Sequence, residues 1–374
     1  MMKIIKIVCI NFCFGMYALL SDKYNVITIS RDITTTSYNR LTKEEIYLIF
    51  IQLAKCFKEV DTSILLSEGD WSEQAKNILE MTVSKLKDTD TPTIIVFNEA
   101  FFGQDQPLSR ENVDEIIEIY TKYASYMPNS YLYINFLYID ENKEEYKGQT
   151  EISKNRYSEI NSEAFIVDNK DNSQKESYLI KSKDGPEKEA MLLFNQTKIF
   201  YNGKEVGFYN KSSYYKESPN LFNGEYYVIG DFTTNYYEED EDVQQPFDCL
   251  TCYDIDVVGK DNMPEGPNFI FSSNTSSSLP AALFEIYGNM NDKKFFICSD
   301  AKYNENEEIT KDINCEEAKD SGYLFYKLNG VFMYKNTNLC PIKEIQEIKF
   351  DYTKSSLSFI KDRFFMNVFS LTTE

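Results

Sequence analysis

A rhythm restricts this chain's fold more than any single motif. Between residues 25 and 139, strand-like and helix-like stretches take turns. NVITIS (25–30) alternates as a strand does. TKEEIYLIFIQLAKCFKEV (42–60) carries apolar residues at helical spacing, with Thr42 as N-cap and Glu45 three residues on to complete a capping box. SILLS (63–67) is a short apolar run, and 70–88 reads as a helix opened by Asp70 and acidic in its first turn. TPTIIVFNEAFFG (91–103) is a buried strand running into a carboxylate. A helix over 109–127 with Ser109 at its N-cap and a strand over 130–139 complete the pattern. Alternation of this kind points to an α/β sandwich rather than an all-β fold.

The rest of the chain is strand-rich. Residues 140–188 are polar and read as an insertion holding two short strands, AFIVD and SYLI. After it, Asn202-Gly203 between two apolar runs marks a tight hairpin. Strands follow at YYVIG (226–230), around 247–257, at 267–274 and at 293–300. A second hairpin spans 322–336 with its turn at Asn329-Gly330, and EIKFDY (347–352) is the expected last strand. The acidic tract YYEEDEDV (236–243) is a solvated loop or the rim of a site.

Composition excludes several kinds of chemistry. Lys plus Arg number 39 against 60 Asp plus Glu, a net charge of −21, so a phosphate backbone is repelled and nucleic acid is not an expected partner. Histidine is absent, which removes every mechanism that turns on an imidazole and every His-ligated zinc. The first 21 residues carry lysines at 3 and 6, an apolar run from Ile7 to Leu20, and Ser21 before a charged pair. That is the layout of a secretory signal, with a run too short to span a bilayer. Secretion makes disulfides permissible and leaves six cysteines: 56, 249, 252, 298, 315 and 340.

Three segments stand in one order: IIVFNEAFFG ending its strand at Glu99, LLFNQTKIFYNGKEVGFYNK ending at Lys211, and LTCYDIDV with Cys252 before Tyr-Asp. Together they resemble the three signature segments of the carbon–nitrogen hydrolase (nitrilase) superfamily. GPNFIFSSNTSS and GYLFYKLNGVFMYKN resemble the later strand and hairpin of that family. The resemblance covers about 25–352, with insertions at 140–188 and 301–320. It implies a four-layer α-β-β-α sandwich and hydrolysis of a small-molecule amide without cofactor or metal. It also implies a Glu-Lys-Cys triad in which Glu99 is the base, Lys211 stabilises the thiolate and the oxyanion, and Cys252 is the nucleophile. The backbone N–H of Tyr253 is then the second oxyanion donor, and Glu217 is an auxiliary carboxylate that positions substrate. A free thiol near pKa 8.5 needs such a base or positive field to act as a nucleophile. The family's dimer contact uses a helix after the nucleophile, and VVGKDNMPEGP offers little helix there, so a homodimer is an open expectation.

Two departures stand beside the resemblance. Asn98 occupies the place where the family carries Pro, which is expected to loosen the backbone at Glu99. Glu68, after the apolar run SILLS, is a rival carboxylate. Glu99 is preferred because helix and strand flank it as the family fold requires.

Cys249 and Cys252 form a C-x-x-C. Zinc is disfavoured, since no second such pair and no histidine exist, and redox chemistry expects the pair at a strand-to-helix turn. A disulfide at Cys252 is the plain rival to a nucleophile. Cys315 with Cys340, and Cys298 or Cys249 with another, are candidate bridges. Three sequons, at Asn195, Asn210 and Asn274, fit an extracellular protein, with Asn210 expected bare because it adjoins Lys211. The alternative reading is a catalytically inactive secreted member that acts as a surface or interaction protein. An acyl transferase passing the thioester to an amine is the third.

Overall fold

The computed structural model describes residues 23–31, 41–103, 107–139, 166–169, 178–181, 187–211, 221–222, 225–229, 236–237, 248–251, 268–273, 295–300, 330–335, 338–341, 350–359 and 364–373. The expected signal segment therefore lies outside the described residues, as do most of the two insertions.

Among the described residues four helices come early: α1 (Lys43–Phe57), α2 (Ser63–Glu68), α3 (Glu73–Glu80) and α4 (Arg110–Ala124). The strands are β1 (Lys23–Arg31), β2 (Thr93–Phe97), β3 (Leu108–Ser109), β4 (Ser130–Ile139), β5 (Ile166–Asn169), β6 (Tyr178–Lys181), β7 (Glu187–Tyr201), β8 (Lys204–Asn210) and β9 (Leu221–Phe222). They continue as β10 (Glu225–Ile229), β11 (Tyr236–Tyr237), β12 (Asp248–Thr251), β13 (Asn268–Ser273), β14 (Phe295–Asp300), β15 (Gly330–Lys335), β16 (Asn338–Pro341), β17 (Phe350–Phe359) and β18 (Phe364–Thr373). The fold is mixed α/β.

Two sheets form. The first runs β11-β8-β7-β4-β2-β1-β18-β17, with β3, β5, β6, β9 and β10 paired off this path, and the second runs β12-β13-β14-β15-β16. β1, β2 and β4 are mutually parallel, as strand–helix–strand crossovers demand. Capping of α1 is as the sequence requires: the Thr42 hydroxyl accepts from Glu45 N, and the Glu45 carboxylate accepts from Thr42 N at 2.9 Å. Ser109 likewise accepts from Asn112 N at the start of α4.

Alternation along the strands gives the first sheet two unlike faces. Ile27, Ile29, Ile95, Phe97, Leu132, Ile134 and Phe136 join the apolar sides of α1, α3 and α4 in one core. Within it Phe50 packs on Phe97, Phe102 and Tyr120, and the rings of Phe97 and Phe101 meet edge to face at 4.7 Å. α1 is buried along most of its length because it packs against both α3 and α4 and joins the core on this face of the sheet. The other face meets the second sheet: β13 and β14 pack on β2, while β14 and β15 pack on β1. The buried Ser299 hydroxyl donates to Ile29 O at 3.0 Å across this interface. The layers described are thus helices, sheet and sheet. Parallel pairing of β12 with β13 and of β13 with β14 requires crossovers, and these fall at 252–267 and 274–294, outside the described residues.

The short apolar run SILLS forms the helix α2, which Glu68 closes. Three details depart from the sequence reading. The helix expected over 70–88 covers only Glu73–Glu80 and is capped by Ser72, whose hydroxyl accepts from Ala75 N. Its start is set by tertiary ties, because the Glu44 carboxylate accepts from both Ser72 N and the Ser72 hydroxyl, while Trp71 Nε1 donates to Leu65 O. After Met81 the chain runs on without helix, bound to α1 through Leu86 N to Cys56 O at 2.8 Å. The strand at 347–352 is not the last either. It becomes β17, and β18 follows, inserted antiparallel between β17 and β1.

Candidate active site

Glu99 stands at the end of β2, in a turn held by side chains as well as backbone. Asn98 is fully buried. Its Oδ1 accepts from Arg31 N at 3.0 Å, its Nδ2 donates to Glu99 O at 2.7 Å, and its own N–H donates to Ile29 O at 3.1 Å. Ala100 takes a left-handed φ of 50°, and its N–H donates to Asn135 Oδ1 at 2.6 Å. Gly103, at φ 100°, has no room for a side chain: a Cβ there would lie 2.0 Å from Leu137 O. A left-handed alanine and a wedged glycine within four residues persist only where the surroundings dictate them. The expectation that Asn98 loosens the backbone at Glu99 is therefore corrected. Three hydrogen bonds hold here what a proline ring would hold by its fixed φ.

Lys211 arrives from the other side of β4. The β7–β8 hairpin turns at Asn202 and Gly203, both at positive φ as a type I′ turn requires. Its ladder extends one step past β8, where Lys211 N donates to Asn195 O at 2.9 Å. That step directs the Lys211 side chain to the face shared by Asn195, Thr197 and Tyr209, the face turned to the second sheet. There the Lys211 Nζ donates to Glu99 Oε1 at 2.7 Å, joining two groups 112 residues apart. The side chains of Lys211 and Glu99 are 0% and 3% exposed, so the pair sits in the dry interior. Asn195 Nδ2 donates to the same oxygen at 2.8 Å, and Asn195 Oδ1 is buried with no hydrogen-bond partner among the described residues. Glu99 Oε2 accepts from no described residue.

A buried ion pair is a weak source of net stability, because desolvation of two charges consumes most of their attraction. Removing one partner is different: it strands the other charge in a low-dielectric interior. The arrangement holds an ammonium and a carboxylate in fixed contact, with one carboxylate oxygen engaged twice and the other left over.

Cys252, Tyr253 and Glu217 lie outside the described residues. The strand that leads to Cys252 is described, and its end can be placed. Thr251 pairs with Ser272, Ser272 pairs with Ser299, and Ser299 bonds to Ile29, the partner of Phe97 in β2. The C-terminal ends of β12 and β2 therefore lie at the same end of the two packed sheets. Thr251 is fully buried and its hydroxyl has no hydrogen-bond partner among the described residues. Glu68 belongs to α2, whose Leu65 and Leu66 pack on the helix-side core, across the sheet from the Glu99–Lys211 contact.

Cys56 and Cys249 are buried and in no disulfide, which corrects the expectation of a bridge at Cys249. Burial pushes the Cys56 thiol up to about 12. The side chains of Cys298, Cys315 and Cys340 lie outside the described residues. The sequon at Asn195 is corrected as a glycan site, because Asn195 is buried and bonds to Glu99; Asn210, expected bare, is buried as well, and its Oδ1 accepts from Gln196 Nε2 at 2.9 Å. Asn274 is outside the described residues. Among the described residues no group of three or more Cys, Asp or Glu side chains is placed to hold a metal ion, and no helix is long and apolar enough to cross a membrane.

The sequence reading missed Asn195 and Asn135 as parts of this constellation. Asn135 braces the turn through Ala100 N and donates from Nδ2 to Thr197 Oγ1 at 2.9 Å. Part of the signal was available: YINFLY places one asparagine inside an otherwise apolar strand, and FNQTKIF sets a polar run between apolar ones. A buried polar group needs a partner, so such positions mark sites or networks.

No protein-family model matches the sequence, and no curated protein matches it. Among solved structures, the chain is similar to a glutamine-dependent NAD(+) synthetase from Cytophaga hutchinsonii, with a TM-score of 0.37 and 10% identity over 94% of this chain. The chain spans 43% of that protein's length.

Proposed function

We propose that this chain is a secreted carbon–nitrogen hydrolase, built as a four-layer α-β-β-α sandwich, that cleaves a small-molecule amide through Glu99, Lys211 and Cys252. The observation that carries the reading is the buried 2.7 Å contact between Glu99 and Lys211, at the end of the sheets toward which β12 runs. A carboxylate and an ammonium sharing a dry site are the base and the electrostatic stabiliser that a thiol nucleophile needs.

The sequence of steps follows from the groups. Glu99 takes the Cys252 proton, and the thiolate attacks the amide carbon, so that an S–C bond forms and the carbonyl oxygen becomes an oxyanion. Lys211 Nζ and the Tyr253 N–H stabilise that charge. As the C–N bond breaks, Glu99 returns the proton to the departing nitrogen and a thioester remains. Glu99 then deprotonates a water, which attacks the thioester and frees the acid and the thiol. Oε1 is occupied by Lys211 and Asn195, so Oε2 is the oxygen that exchanges protons.

Labelling with an electrophilic amide or nitrile probe tests this reading. Cys252 is labelled in the natural chain, and labelling is lost in Cys252→Ala and in Glu99→Gln. Labelling retained in both variants rejects it. Mass spectrometry without reduction that finds Cys252 in a disulfide favours the inactive interaction protein instead.

A further inference from the structure

We infer that Asn195 is a positioning residue for the proton-transferring carboxyl, an inference that rests on the reading of Glu99 and Cys252 above. The geometry is specific. Lys211 could hold Glu99 from one direction alone, as a point charge that leaves the carboxylate free to rotate about its bond to Lys211. The second donor, Asn195 Nδ2 at 2.8 Å on the same oxygen, removes that rotation. With Oε1 fixed by two donors 2.7 and 2.8 Å away, the direction of Oε2 is set as well.

The state of Asn195's other atom shows what dictates its conformation. Oδ1 is buried with no hydrogen-bond partner among the described residues. A buried amide ordinarily satisfies both ends, and leaving a carbonyl without a donor is costly. Asn195 bears that cost while its NH2 group remains on Glu99, so packing for stability does not explain the residue. Its backbone contributes too: Asn195 O accepts from Lys211 N, so one residue places both the ammonium and the carboxylate. Charged groups facing this contact among the described residues are Glu99 and Lys211 themselves. Arg31, the last residue of β1, lies beside this turn, with Nη1 donating to Phe101 O at 3.4 Å.

The test is the pH profile of Cys252 alkylation by iodoacetamide on the full chain, read peptide by peptide by mass spectrometry, with thermal unfolding measured in parallel. In the natural chain Cys252 reacts faster near neutral pH than a cysteine in a model peptide, because base and ammonium are in place. Asn195→Asp, nearly isosteric, and Asn195→Leu, nearly equal in volume, both lower that rate about tenfold, the worth of one hydrogen bond to a charged group. Both change the pH profile of the folded fraction, Asn195→Leu by removing the donor on Oε1 and Asn195→Asp by setting a second carboxylate against it. A purely structural role lowers the unfolding temperature but leaves the profile of the folded fraction unmoved, and that result overturns the inference while sparing the catalytic reading. Peptide-like reactivity of Cys252 in the natural chain overturns both.

Discussion

The two faces of the first sheet are built from the same strands and do different work. On the helix-facing side, Ile27, Ile29, Ile95, Phe97, Leu132, Ile134 and Phe136 are nearly all carbon, and they pack on α1, α3 and α4. On the side turned to the second sheet, apolar residues occupy only part of the surface. Val26, Ile94 and Val96 give way toward the strand ends to Ser30, Asn98, Asn135, Thr197, Asn195, Glu99 and Lys211, all buried. One face lowers the free energy of the fold by removing hydrocarbon from water, and the other accepts buried polar groups and holds them in a network. A chain can carry the second face only because the first stabilises it.

That division can be broken by substitution. The largest expected effect is on the carbon face: Phe97→Ala removes a fully buried ring against Phe50 and Phe101 and lowers stability by about 3–5 kcal/mol in denaturant unfolding. Cys252 labelling in the remaining folded fraction stays intact; a loss of labelling with unchanged stability would erase the distinction between the faces. Lys211→Ala acts on the other face. It raises the barrier to acylation by about 3–4 kcal/mol, nearly as damaging as Cys252→Ala, and also destabilises by stranding Glu99. Asn98→Ala deletes the bonds to Arg31 N and Glu99 O and costs about 1–3 kcal/mol, with weaker labelling as the turn relaxes. An Asn98→Ala chain with full stability and full labelling would show that the turn is held without it.

A smaller effect sharpens the comparison through pH. Burial on the carbon face pushes Cys56 up to about 12 from its ordinary 9.0. The folded state thus keeps a proton that the unfolded chain gives up. This contribution is complete below pH 9 and is lost as pH rises toward 12, at about 1.4 kcal/mol per pH unit. Cys56→Ala flattens that alkaline limb, measured by unfolding at stepped pH, and an unchanged limb contradicts the burial account. The smallest effect is at the surface: Thr42→Ala removes the α1 cap and costs about 1 kcal/mol, with labelling untouched.

Much of the fold was legible because its causes are local. The capping box at Thr42 and Glu45, the Ser109 cap and the positive-φ turn at Asn202-Gly203 each depend on residues within a few positions of one another. Where partners are distant, the reading failed. α3 starts at Ser72 because Glu44, 28 residues away, takes its N–H. β18 was missed because a strand paired on both edges and buried on both faces shows no clear alternation, and Asn367 interrupts its apolar run. At the site, Glu99 and Lys211 could be named from their segments, whereas the role of Asn195 depends on a contact across 96 residues.

By itself, then, the order of amino acids determined the periods, the caps, the turn and the residue types able to carry acid–base and thiol chemistry. Those are properties of neighbours, set by sterics and short-range hydrogen bonds. Only the folded molecule decided that Glu99 and Lys211 touch in a dry interior, that Asn98 braces the turn a proline would otherwise stiffen, and that two sequons are sealed inside. Such contacts exist only once two sheets close over them and remove the water that would otherwise compete.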